Sequence, residues 1–461
     1  MTIQQRFRAG LVASVLTAFS APAFGLYENA AWTSLDNGMQ VLVIENHRAP
    51  VVHARLVVNV GSDDERPDEA GLAHFVEHML FRGSDQLGPG EFDLAMASIG
   101  ADYNASTSTD LTTYYASFGS NHLERWISLE ADRMTALAAI PEEVEAERGV
   151  VLSEMLQQFD ANPRRLFGQD VARLLQGDFH SRPVIGQREV LETATPAQLV
   201  EFYDDWYLPN NMTLVVSGDT TLDEVLSLAQ QYFGDLQSGE LPSKTDQVGI
   251  FNSDGALFEV VDERVTQDSA SIYTWLPSLT EQGLAESRGK RLQYAAFVFR
   301  EMVGGDLKAP LDQLLLAGTD PIATAASFGI GFGDYTASAS ARITPAPGVA
   351  VEDALEALRA AVPVAIDQAL TEDNLAQAKR RFIRSAIYSN DSIQGPAVSF
   401  ANAIAVDEPF ETTQQFEELV SAVTMEDVWA VIDIYRSSDK KFDAILRGTP
   451  AVADDQEQAS E

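Results

Sequence analysis

No cysteine occurs anywhere in this chain. Disulfides cannot staple the fold, no thiolate can serve as nucleophile, and any metal must be held by histidine and carboxylate. Histidine is itself scarce: there are six, and none follows His180. A metal site that needs imidazole can then lie only in the first half. Positive charge is thin as well, with 31 basic residues against 69 acidic ones and a formal charge of −38. That excess argues against nucleic acid or an anionic membrane surface as a partner and suits cationic or neutral ligands, although solubility accounts for most of it more simply.

Also missing is an apolar run of the about 20 residues that a membrane-spanning helix needs. The stretch from Ala9 to Phe19 is shorter than that. It follows Arg6 and Arg8 and precedes the small residues Ala21, Ala23 and Gly25, the layout of a cleaved secretory signal. Residues 1–25 are therefore expected to be a signal peptide, with a mature chain beginning near Phe24 or Leu26 in the periplasm or outside the cell.

What is present, 461 residues with 45% apolar content, suffices for two or more domains with ordinary cores. Strand and helix patterns alternate in an α+β manner. Gly38 to Ile44 and Val51 to Val60 read as strands joined by a turn at Asn46 to Pro50. Glu91 to Ile99 reads as a helix, Gly100 to Phe118 as a turn plus one strand with Tyr114, Ala116 and Phe118 on one face, and Pro141 to Phe159 as a long acidic helix opened by proline.

The densest chemistry lies in His74-Phe75-Val76-Glu77-His78. On a helix, positions i and i+4 share a face with Cβ atoms about 5–6 Å apart, so the two imidazoles can close on one Zn²⁺. Glu77 falls at the edge of that face, where a carboxylate can hold a water without being a ligand. The flanking Ala73, Phe75, Val76, Met79, Leu80 and Phe81 supply a buried face, and Arg82-Gly83-Ser84 a C-terminal stop. The order reverses the helical zinc arrangement H-E-x-x-H. A half-buried helix carrying two structural histidines is the plain alternative.

Thr195 to Gly218 and Thr424 to Gly448 follow the same script of helix, break, strand and glycine at a spacing near 230 residues. Two halves of one fold are the natural inference. The repeat carries Glu142 onto Glu372 but Glu147 onto Gln377 and Glu154 onto Arg384, and with no histidine after His180 only the first half can hold the metal. Between the halves, 237–254 is rich in Ser, Gly, Pro and Asp and reads as a linker; the domains expected are 26–236 and 255–450, with a polar, acidic and disordered tail at 451–461.

A catalytic zinc needs a third protein ligand and an open position. Glu147 and Glu154 lie seven apart on one helix face, and spacing alone allows either. The run from Glu147 to Glu154, together with Gly71 to Phe81 and with Gly100-Ala101-Asp102-Tyr103-Asn104-Ala105, Thr107 and Asp110, resembles the M16 metallopeptidases. These are the pitrilysin-like inverzincins, and the likeness is to their shorter members related to mitochondrial processing peptidase. The resemblance implies two homologous α/β-layered halves of the LuxS/MPP-like metallohydrolase fold forming a clam-shell, and a zinc endopeptidase acting on oligopeptides or small unfolded proteins. It implies His74, His78 and Glu154 as zinc ligands, Glu77 as base and Glu147 as the carboxylate that orients the site. It also implies Asn104, Ala105 and the strand near Thr112 to Phe118 as the edge that binds substrate; His180, Pro183, Ile185 and Gly186 resemble a structural family segment.

The second half departs from the family pattern, with Pro310 where an Arg is usual and Ala323 where a Tyr is usual. The resemblance then implies a hetero-oligomer in which a second M16-like subunit completes the site. The alternative is a non-catalytic M16-like assembly or peptide-binding subunit, which would need none of His74, Glu77, His78 and Glu154. A purely structural zinc is disfavoured because such sites take four protein ligands, often cysteine.

Overall fold

The computed structural model describes residues 27–448 apart from 85, 245–247, 284–285 and 306–307. The expected signal peptide and acidic tail lie outside the described residues. Two sheets organise the rest. The first contains β1 (Ala30–Ser34), β2 (Gln40–Glu45), β3 (Val51–Val58), β4 (Asp102–Thr107), β5 (Thr112–Gly119) and β6 (Met212–Gly218) in the order β1-β2-β6-β3-β5-β4. The second contains β7 (Phe258–Val261), β8 (Ser269–Trp275), β9 (Ala323–Phe332), β10 (Ala337–Pro345) and β11 (Lys441–Arg447) in the order β7-β11-β8-β10-β9.

Once β1 is set aside, the two orders are the same. β2 runs parallel to β6 as β7 does to β11, and every other neighbouring pair is antiparallel. The halves are thus α+β units of one topology. Between Phe233 and Phe258 the described residues form no helix or strand, and the stretch read as a linker lies in that interval. Part of it is laid against the helix Pro163–His180, with Ile250 N–H donating to the Gln176 carbonyl at 3.1 Å and Asn252 N–H to that of Leu174 at 2.9 Å.

The first half also carries the helices α1 (Leu72–Met79), α2 (Glu91–Ser98), α3 (Leu123–Arg133), α4 (Pro141–Met155) and α5 (Pro163–His180). Central strands are buried on both faces, which is why β2, β3 and β6 read as nearly continuous apolar runs. One face, with Val41, Val43, Leu56 and Leu214, packs with Phe75, Val76, Trp126 and Phe202 in the main core. The other face is covered from the opposite half. Phe400, Ala397 and Ala401 of helix Gln394–Ala405 pack on Leu42, Ile44, Val57 and Val215. Reciprocally, Phe167, Val171 and Leu175 of α5 pack on Tyr273, Phe442, Ala444 and Leu446 of the second sheet. α5 and helix Gln394–Ala405 occupy matching places in the repeat, so each half lends the other the same helix.

Two readings of the sequence need correction. Gly100 to Phe118 makes two strands, β4 and β5, turned by Ser108, whose Oγ accepts from Leu111 N–H at 2.9 Å. β4 is hard to read from the sequence because its alternation is short and weak, with only Tyr103 and Ala105 as inward apolar residues between the exposed Asp102, Asn104 and Ser106. The long acidic helix is α-helical only to Met155; Leu156–Asp160 is a π-helical turn, with Ala161 N–H donating to the Leu156 carbonyl at 2.8 Å. Pro163 follows Asn162, which is extended at φ −115° and ψ 95°, as a residue before proline prefers.

The seam between the halves holds a buried histidine. His53 on β3 is 2% exposed; its Nε2 accepts from Arg55 Nε at 3.1 Å, so Nδ1 carries the proton and donates to Ser117 Oγ at 2.9 Å. Gln394 of the covering helix donates to the same Ser117 oxygen at 3.2 Å. Burial first, and the Arg55 charge second, pull the His53 imidazole from 6.5 down to about 4. A base whose folded-state pKa is depressed contributes stability above its unfolded value that is lost as pH falls through the folded one. Urea unfolding is expected to show that His53→Gln loses less stability than the natural chain between pH 6.5 and 4, by up to about 3 kcal/mol. Equal slopes would remove His53 from the acid response.

Candidate active site

α1 is short, and its start is clamped. Gly71 has φ +105°, and a Cβ there would lie 2.8 Å from Gly186 Cα. The buried Glu65 carboxylate accepts from Gly71 N–H and Ala73 N–H, each at 2.9 Å, satisfying donors that the first helical turn leaves unpaired. Leu72, Phe75, Val76 and Met79 are buried in the core, which fixes the rotation of the helix. The helix ends at Met79, a few residues before Gly83, which takes φ +136°. His74 and His78 then stand one turn apart with ring centroids 4.6 Å from each other.

α4 packs against α1 and supplies both acidic residues. Glu154 Oε2 lies 3.4 Å from His78 Nε2 and 3.8 Å from His74 Nε2. Glu147 sits on the other side of the same ring: His78 Nδ1–H donates to its Oε1 at 2.9 Å, while Arg82 Nε donates to its Oε2. That bond leaves the His78 Nε2 lone pair directed to the cluster, the usual way a carboxylate fixes the tautomer of a metal-binding histidine. Zinc bonds of 2.0–2.2 Å in a tetrahedron would set donor atoms about 3.3–3.6 Å apart, close to the spacing found, and two imidazoles with one carboxylate are a donor set suited to that ion. Among the described residues, His74, His78 and Glu154 form the one group able to hold a metal in this way.

The electrostatics agree with that donor set. Burial, then the neighbouring His78, pulls His74 down to about 3, so its lone pair is free of a proton. For His78 burial acts downward, but the Glu147 hydrogen bond and the charges of Glu77, Glu147 and Glu154 outweigh it and the net shift is upward. For Glu147 burial acts upward, yet the hydrogen bonds from His78 and Arg82 bring it below the ordinary value and keep it ionised. Glu77, 8% exposed, is raised by burial against the lowering effect of Thr107, whose Oγ1 donates to Glu77 Oε2 at 2.6 Å.

Asn104 and Ala105 lie on β4. Asn104 is exposed and its Oδ1 accepts from Ala105 N–H at 2.9 Å, while Ala105 is buried in the core. The strand Thr112–Gly119 is not an edge, because β3 and β4 flank it on both sides; β4 is the edge. Sequence reasoning assigned no part in the site's chemistry to Arg82, Thr107 or Gln158. Two of them had a usable signal, since Arg82 follows His78 and Gln158 follows Glu154 by one helical turn. Pro310 opens the short helix Pro310–Leu315, and Ala323 is a buried residue at the start of β9.

Comparison with known proteins bears on the same regions. Residues 40–186 match the family model described as insulinase (peptidase family M16), and residues 193–382 the model of the peptidase M16 inactive domain. The chain is 34% identical over 215 residues to the probable zinc protease PqqL of Escherichia coli, covering 45% of this chain and 23% of that protein. It is 29% identical over 208 residues to the beta subunit of the mitochondrial-processing peptidase of Caenorhabditis elegans, covering 45% of each. The chain thus matches less than half the length of these relatives. A protease from Helicobacter pylori has the same fold, with TM-score 0.77 and 21% identity over 90% of this chain and 99% of that one. The periplasmic protease PqqL from E. coli superposes with TM-score 0.75 and 22% identity over 91% of this chain and 47% of that one. Among the described residues no helix is long and apolar enough to cross a membrane. With the paired-histidine helix inside the first match and no histidine in the second, the chain belongs to the M16 peptidase family.

Proposed function

We propose that this chain is a zinc-dependent endopeptidase acting on oligopeptides or small unfolded proteins in the periplasm or outside the cell. The observation that carries the reading is the convergence of His74 Nε2, His78 Nε2 and Glu154 Oε2 beside the buried carboxylate of Glu77. Those three residues would hold the ion. Zinc bound there would supply Lewis acidity, which acidifies water and polarises a peptide carbonyl.

The remaining chemistry belongs to the chain. Glu77 takes the proton of the attacking water and delivers it to the departing amine nitrogen, a task suited to a carboxyl raised by burial. Thr107 occupies Glu77 Oε2, which leaves Oε1 for the transfer. Glu147 holds His78 in the tautomer that presents Nε2, with Arg82 keeping Glu147 ionised. β4 pairs on one side only, with β5, so its outer backbone edge, carrying Asn104 and Ala105, can take up an extended peptide as an added strand. A second M16-like subunit completes the site, given Pro310 and Ala323 in place of the usual Arg and Tyr.

The purified chain is expected to bind one zinc and to cleave unfolded peptides in a chelator-reversible way, faster when a second M16-like chain is co-expressed. His74→Ala combined with His78→Ala should abolish metal and cleavage together. Cleavage that persists in the metal-free double variant would overturn the metallopeptidase reading, and a rate indifferent to the second chain would remove the partner.

A further inference from the structure

Glu154 divides its two oxygens between different tasks. Oε2 faces the imidazoles, whereas Oε1 accepts from the side-chain amide of Gln158, one helical turn further on. Gln158 Oε1 in turn accepts from Arg165 Nη1 at 2.9 Å. The chemistry of the two ends fixes the orientation of this amide. A guanidinium only donates and a carboxylate only accepts, so a glutamine between them satisfies both in one way, with its oxygen to Arg165 and its nitrogen to Glu154.

Backbone geometry makes the relay possible. Gln158 lies within the π-helical turn Leu156–Asp160, after which the chain turns at Asn162 and enters α5. Arg165, in the first turn of α5, is thereby directed back to Gln158, and its guanidinium also lies 5.4 Å from the Phe159 ring centre. The turn is gripped from the second half: Arg264 Nη1 donates to the Asp160 carbonyl at 2.7 Å, and Arg164 Nη2 donates to the Gln267 carbonyl at 2.6 Å. Single π turns on helices are frequent at functional sites. Glu154 is 28% exposed and could otherwise rotate toward solvent.

We infer that Gln158 is a positioning residue which, set by Arg165 across the π turn, holds the Glu154 carboxylate with Oε2 toward His74 and His78. The inference rests on the reading of Glu154 as a metal ligand. Loss of a hydrogen-bond partner behind a ligand weakens metal binding by about 10–100-fold, and the lower end applies here because one ligand of three is affected.

The test is zinc affinity, read by competition of the full chain with a chromophoric chelator and without any activity measurement. Gln158→Ala is expected to weaken zinc about tenfold. Gln158→Glu, of the same size but unable to donate when ionised, should weaken it at least as much, whereas a residue that merely fills space would tolerate that change. Arg165→Ala should have a smaller effect, since the donor to Glu154 remains. Metal-free thermal midpoints should match the natural chain throughout. If Glu154→Gln weakens zinc but both Gln158 variants bind it as the natural chain does, the positioning role is overturned while the ligand assignment stands. If Glu154→Gln leaves zinc affinity unchanged, the ligand assignment fails and the inference with it.

Discussion

Glu77→Gln is expected to lower kcat for peptide hydrolysis by about 10²–10⁴-fold while the zinc content stays that of the natural chain. The substitution keeps the shape of the side chain and an oxygen able to accept from Thr107 Oγ1, so the packing of α1 has no reason to change. It removes the capacity to take a proton. The base role proposed for Glu77 needs a carboxylate beside the cluster, whereas His74, His78 and Glu154 offer the donor atoms that gather around one point. The two classes of residue should separate in one experiment: Glu77→Gln keeps metal and loses turnover, and Glu154→Gln loses affinity for metal first. Turnover within a few-fold of the natural rate for Glu77→Gln would show that another group moves the proton.

Glu130→Ala should destabilise the fold by about 3–5 kcal/mol in urea unfolding. Glu130 and Arg133 lie three residues apart on α3, 1% and 2% exposed, with Arg133 Nη2 donating to Glu130 Oε2 at 2.5 Å. The guanidinium is sandwiched by aromatic rings, 4.0 Å from the centre of Phe92, 4.8 Å from Tyr114 and 4.9 Å from Phe81. Among the described residues its Nε and Nη1 have no hydrogen-bond partner, so the Glu130 carboxylate and the ring faces carry most of the compensation for its burial, with the Glu77 charge adding to it. Without Glu130 the charge remains in the core without its hydrogen-bonded carboxylate, met by the rings and by the Glu77 charge. Replacing both residues with apolar ones, Glu130→Leu with Arg133→Met, should cost much less than the single change, because the desolvation penalty goes along with the attraction. A single variant as stable as the natural chain would mean that the rings and the Glu77 charge suffice.

The parts legible before any coordinates were those governed by short-range periodicity. His74, Glu77 and His78 are placed relative to each other by the helical repeat, and the apolar residues between them dictate which side of the helix is buried. The pairing of Thr195 to Gly218 with Thr424 to Gly448 was visible because helix, break and strand signals recur in the same order, and the matching strand orders of the two sheets follow from it. β4 was not legible: with three exposed polar residues, its alternation rests on Tyr103 and Ala105 alone. The π turn was hidden for a related reason, since its side chains obey a helical pattern and only the backbone bond from Ala161 to Leu156 distinguishes it.

By itself, then, the sequence determined that imidazole chemistry is confined to the first half, that one helix carries a pair of histidines with a carboxylate beside them, and that two acidic residues on a second helix were available to meet them. Tertiary structure decided what each acidic residue meets. Glu147 and Glu154 are separated by about 10.5 Å along the axis at 1.5 Å per residue, too far for both to reach the same point, and their spacing is indifferent to which one does. The crossing of α4 over α1 set Glu154 against the Nε2 atoms and Glu147 against Nδ1 of His78, a choice made by packing between residues some 70 apart in the chain, where no local pattern can record it.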